Sequence, residues 1–167
     1  MPSPAAARRR LLGLALAAAA SASACGFALR QPPQLAFRSL ALKGFAPRSP
    51  LAEELRRQLA SRVQVLDTPE RAELVLHVLE DKREKSVVAS TATAQVRELQ
   101  LRVRFEFRVA TPSGRELLPR SQMLLARDLS YSETAALAKE QEEAELFREM
   151  QADIVAQVLR RLASVRV

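Results

Sequence analysis

The chain has 167 residues, room for one domain of ordinary size, and carries 26 basic and 19 acidic side chains with a single cysteine. One cysteine excludes an intrachain disulfide, and no segment reaches the roughly 18 consecutive apolar residues that a transmembrane helix needs. Three of the basic residues and none of the acidic ones fall in positions 1–24, so the remaining 143 residues carry a net charge of +4. That is too mild to argue for nucleic acid, but it is compatible with a local patch that meets anionic lipid or sugar phosphate.

The first element in the chain is not fold. Arg8, Arg9 and Arg10 make a positive start, Leu11 to Ala20 is uncharged and apolar, and Ser21 to Ala24 are small. This is the layout of a secretory signal over residues 1–24, and its apolar run is too short to remain as a membrane span. Cysteine follows at once, in Ala22-Ser23-Ala24-Cys25. The arrangement resembles the lipobox of bacterial lipoproteins, with Ala22 where most lipoboxes carry leucine. The resemblance implies cleavage before Cys25, acylation of its thiol and attachment to a membrane through that lipid. Two or three acyl chains, at about 0.8 kcal/mol per buried methylene, anchor stably without a spanning helix. Acylation also removes a thiol that would otherwise meet an oxidising compartment. Gly26 stands where an aspartate retains such proteins at the inner membrane, so the same resemblance implies the outer membrane.

Residues 25–34 read as a lipidated tether, because Pro32-Pro33 favours extended backbone and stops a helix. Residues 35–167 read as one α+β domain. Leu35, Phe37, Leu40 and Leu42 suggest a first strand, and Gly44 to Pro47 a turn. Ser49 can cap a helix that opens on Pro50; Leu51, Leu55 and Leu59 make its apolar stripe, and it ends near Arg62. Asp67-Thr68-Pro69 breaks the chain. Leu74 to Leu79 reads as a buried strand that continues through the charged run Glu80 to Lys85, because Val87-Val88 follow. Ala89 to Ala94 reads as a loop.

From Leu99 to Val109 every odd position is apolar and every even one polar, the signature of a strand with one face in a core and one in water. Thr111 to Gly114 turns the chain, and Met123, Leu125, Leu129 and Tyr131 continue as a strand antiparallel to it. A long helix over about Glu133 to Ser164 closes the chain, with Phe147, Met150, Ile154, Val158, Leu162 and Val165 stepping by three and four. Its acids lie toward the start and Arg160 and Arg161 toward the end, as the helix dipole favours. The expected fold is two helices on one face of a four-stranded mixed sheet, in the order β-α-β-β-β-α.

Reactive groups do not converge in this pattern. His77 is the only histidine, inside an apolar strand, and has no cysteine or second histidine with which to share a metal. No serine lies in a nucleophile-elbow context, and the four glycines form no phosphate loop. The expectation is a binding or assembly protein without a cofactor, not an enzyme.

Two stretches carry a further resemblance. Cys25-Gly26-Phe27-Ala28-Leu29-Arg30 is similar to the opening of the lipopolysaccharide-assembly lipoprotein family LptE, also called RlpB. Leu137-Ala138-Lys139-Glu140, then Glu149-Met150, then Leu159-Arg160-Arg161-Leu162 follow the course of that family's final helix. The resemblance implies a plug in the lumen of the outer-membrane barrel LptD that helps assemble the barrel and binds lipopolysaccharide in transit. It implies Lys139 as a lipopolysaccharide contact. The family's second basic contact lies in the loop before the third strand. Ser86 to Val96 contains no basic residue, leaving Arg97 and Lys85 as candidates for that role. The alternative is a free-standing envelope lipoprotein, such as the periplasmic accessory of a lipid transporter.

Overall fold

Three long strands dominate the molecule. They are β3 (Leu74–Ser90), β4 (Val96–Ala110) and β5 (Glu116–Ser130), paired antiparallel in sequence order. Before them come β1 (Ser39–Lys43), helix α1 (Pro50–Ala60), β2 (Gln64–Leu66) and a 3-10 turn at Pro69–Arg71; after them comes α2 (Ala136–Ala163). The structure, a computed structural model, describes residues 34–92 and 95–166. The signal segment 1–24, Cys25 and the tether up to residue 33 lie outside the described residues.

The sheet has five strands, in the order β2-β1-β3-β4-β5, not the four expected. The unforeseen strand is β2, whose three residues pair parallel with β1 as Ser39↔Gln64, Leu40↔Val65 and Ala41↔Leu66. Three residues are too few to carry a period-2 signal, so this strand exists by pairing rather than by pattern. β1 also pairs parallel with β3, which makes the sheet mixed. Two further boundaries differ. β3 runs on to Ser90, into the stretch read as a loop, and β5 begins at Glu116 with Pro119 inside it. Proline is tolerated there because β5 is an edge strand and its ladder with β4 shifts register between Phe107 and Val109.

The α1 start forms as its residues dictate. Ser49 Oγ accepts from the Ala52 amide at 3.2 Å, and Pro50 fills the first turn, where no amide partner is needed. The same hydroxyl donates to Asp81 Oδ2 at 2.6 Å, which ties the helix start to β3. Leu51, Leu55 and Leu59 are buried against the sheet, with Leu40, Leu74 and Leu76 in the same core. Phe105 lies at its centre, stacked with Phe45 at 6.0 Å and Phe107 at 5.5 Å between ring centroids. All six odd positions from Leu99 to Val109 are buried, as the alternation requires.

One irregularity in β3 shapes everything above the core. Leu76 and Val78 lie opposite the core residues Val109 and Phe107, but the register slips between Val78 and Glu80. Leu79 is the extra residue of this bulge and is 49% exposed. Beyond it Asp81, Arg83, Lys85 and Val87 lie opposite Phe105, Val103, Leu101 and Leu99. Register partners share a face, so the charged half of β3 turns toward the helix layer. α2 matches this division: Met150, Ile154, Val155, Val158, Leu159 and Leu162 are buried, and no residue before Met150 is. The helix layer is therefore apolar at one end and polar at the other.

Candidate functional site

The polar end is built by β3, β4, the end of β5 and the first half of α2. Arg83 reaches α2, where its guanidinium carbon lies 5.5 Å over the Phe147 ring and its Nη2 donates to Gln151. A cation against an aromatic face gains about 0.5–1 kcal/mol at an exposed position. One register step on, Lys85 Nζ meets Glu143 Oε2 at 2.9 Å. Between these pairs lies an open cleft of about 760 Å³, lined by Arg83, Lys85, Glu140, Glu143, Phe147 and Arg148. Most of the residues that line the cleft are charged, whereas the rest of α2 buries Met150, Ile154, Val155, Val158, Leu159 and Leu162.

Lys139 lies one helical turn from the Lys85 partner. Its ammonium donates to Glu142 Oε2 at 2.7 Å and to Ser130 Oγ at 3.1 Å, at the end of β5. Only 19% of the side chain is exposed, so the cation is held in place rather than free in solvent. Arg97 stands at the start of β4, and its carbonyl accepts from the Tyr131 amide at 2.8 Å. Ser130 and Tyr131 are consecutive, so Lys139 and Arg97 meet at one end of the sheet across the tail of β5. Arg97 is exposed, with Gln95 Oε1 at 3.4 Å from its Nη2. The three cations singled out from sequence thus occupy one end. Lys139 and Lys85 each hold an acidic partner from the adjacent pair Glu142-Glu143, whereas Arg97 forms no ion pair among the described residues. Cys25 lies outside the described residues.

Sequence reasoning did not single out Arg83, Phe147 or Arg148 as site residues. Phe147 is in the apolar stripe of α2 and reads as core, but it is only half-buried and carries a guanidinium instead. The charged run in β3 was the available signal; what it could not disclose was the bulge at Leu79 that aims the odd residues at the helix.

Among the described residues, no helix covers the opposite face of the sheet. Arg102 and Arg104 line it, next to Glu84 and to Glu80, whose Oε1 is 4.0 Å from Arg104 Nε. Contrary to the simple alternation, Glu106 on this face is buried, because Arg120 from the β4–β5 bulge closes over it and donates Nη2 to Oε2 at 2.7 Å.

These features define a two-layer α+β protein whose helix layer opens into a charged cleft at one end. A family model matches residues 37–162, and the chain belongs to the LptE lipopolysaccharide-assembly family. Among solved structures, lipoprotein B from Nitrosomonas europaea is 29% identical with a TM-score of 0.69, over 83% of this chain and 91% of its own. The rare lipoprotein B of Shewanella oneidensis is 28% identical with a TM-score of 0.62, over 76% of this chain and 95% of its own. A minor lipoprotein from Acinetobacter baumannii, 22% identical with a TM-score of 0.63 over 78% of this chain and 93% of its own, shares the fold. No curated protein matches the chain.

Proposed function

We propose that this protein is an outer-membrane lipoprotein, anchored through acylated Cys25, that plugs and helps assemble the LptD barrel and binds lipopolysaccharide on its way to the outer leaflet. The observation that carries the lipopolysaccharide reading is the gathering of Lys139, Arg97 and Lys85 at one end of the sheet. Lipid A presents phosphates, which lysine meets as a point charge and arginine as a bidentate fork. A β-barrel lumen is polar, and the sheet face that no described helix covers carries Arg102, Arg104 and Arg108. The resemblance at Cys25-Gly26-Phe27-Ala28-Leu29-Arg30 supports the anchor.

Affinity purification of the full-length protein from its own envelope tests the reading. Recovery of a large outer-membrane barrel in stoichiometric amount supports the plug. Recovery alone, or with an inner-membrane transporter, favours a free-standing lipoprotein. Mass spectrometry of the same preparation reads the anchor: acyl mass on an N-terminal Cys25 is expected, and a bare thiol contradicts it.

A further inference from the structure

The sheet face away from the helices carries a second cationic cluster, far from the first. Lys43 of β1, His77 of β3 and Arg108 of β4 are register partners in one row, Lys43↔His77 and His77↔Arg108. Strands lie about 4.8 Å apart, so the row spans roughly 10 Å. Two residues along each strand, on the same face, lies the row Ala41, Val75 and Ala110, all buried. The 3-10 turn at Pro69–Arg71 and the Thr111–Gly114 turn flank these rows and enclose a pocket of about 150 Å³. Its floor is small and apolar and its rim is cationic. At about 30 Å³ per water, the space holds one tetrahedral anion with a few waters.

We propose that Lys43, His77 and Arg108 form a binding site for a phosphate dianion, free or carried on a small phosphomonoester. The charges argue for it. Arg120 on the same face is paired with Glu106, but Lys43 and Arg108 have no ion pair among the described residues, and the acid lining the pocket is Glu70 of the turn. Two cations facing one concavity on a low-dielectric floor repel one another, and an anion relieves that repulsion. The existing electrostatics report the same field: His77 is held below its ordinary value by burial, then by Arg108 and by Lys43. A bound dianion reverses the two charge effects and lets His77 act as a third donor. Gly44 sets the position of Lys43. Its φ of +93° turns the chain, and a Cβ there would stand 2.5 Å from the Val78 carbonyl oxygen, so β1 can end this close to β3 only on a glycine. The site is independent of the lipopolysaccharide reading, because Arg108 and Arg97 lie eleven residues apart along β4, about 36 Å.

His77 is the only histidine, so its ring signals in a proton–carbon NMR spectrum report on this pocket alone. The experiment titrates the full chain in neutral detergent at pH 7.5 with inorganic phosphate, glucose 1-phosphate, acetate, and chloride at matched ionic strength. A saturable His77 shift with phosphate, absent with chloride, is expected. Arg108→Gln and Lys43→Gln should each weaken it about tenfold or more with unchanged thermal melting, and Lys139→Glu should leave it unaltered. Tighter binding of glucose 1-phosphate identifies a sugar-borne phosphate, and equal or weaker binding a free one. A shift that follows ionic strength whatever the anion, phosphate binding unaffected by both Gln variants, or saturation by acetate alone overturns the proposal; the last result assigns the pocket to a carboxylate.

Discussion

Lys85 Nζ lies 2.9 Å from Glu143 Oε2, and this pair bridges the charged half of β3 to the half of α2 that buries no core residue. Next to it on the helix, Glu142 holds Lys139 at 2.7 Å. Two of the three cations proposed to meet lipid A phosphate, Lys85 and Lys139, are thus already neutralised by two consecutive acids, which an anionic ligand must displace. Pairs at this exposure contribute about 0.2–1 kcal/mol each, little enough for a phosphate contact to exceed.

The competition gives a prediction of unusual sign. Glu142→Gln with Glu143→Gln removes both internal partners while leaving every basic residue in place. Lipopolysaccharide binding should strengthen, by up to about thirtyfold if both pairs sit at the top of that range. Surface plasmon resonance at low salt reads this directly, and weaker binding would mean that the acids position the cations rather than compete for them.

The fold predicts a sharp asymmetry within β4. Phe105 is fully buried and stacked on two rings, so Phe105→Ala should cost about 3–5 kcal/mol through lost contacts and a cavity. Arg102, three residues away on the exposed face, should tolerate alanine to within about 0.5 kcal/mol. Urea denaturation of the two variants checks it; similar midpoints would overturn the strand register.

That register was legible because the Leu99–Val109 alternation is strict and long, and a slip of one residue would reverse every side chain. The helices were legible for the same kind of reason, a stripe of spacing three and four with Ser49-Pro50 at one start. What was not legible had no periodic signal. Gln64–Leu66 becomes a strand only because β1 offers an edge. Leu79 flips the face of β3 without any local mark, and so decides that Arg83 and Lys85 face α2. Glu106 is buried by Arg120, fourteen residues on, which alternation cannot foresee. Lys139 came from a family resemblance, and the structure adds its neighbours.

His77 gives the fold a pH dependence with a definite sign. Its pKa is lowered in the folded chain, by burial first and then by Arg108 and Lys43, so the unfolded state binds a proton more readily. Its contribution to stability is fully present above the unfolded value, about 6.5. It is lost as pH falls from there through the lower folded value. In His77→Gln this contribution is absent. Urea midpoints of wild type and variant at pH 7.5 and 5.5 should therefore show wild type losing ground to the variant at the lower pH. A constant difference would show that the folded and unfolded chains bind this proton equally.

The most direct test of the lipopolysaccharide account is the affinity of the full chain, in neutral detergent, for purified lipopolysaccharide with Lys139→Glu and Arg97→Glu combined, at two salt concentrations. A charge-assisted contact contributes about 1.5–3 kcal/mol. The double reversal should therefore weaken binding far more than tenfold, with the far-ultraviolet circular dichroism unchanged and the wild-type affinity falling as salt rises. Affinity equal to wild type in the double variant, or wild-type affinity indifferent to salt, would contradict the assignment of lipopolysaccharide to this end of the sheet.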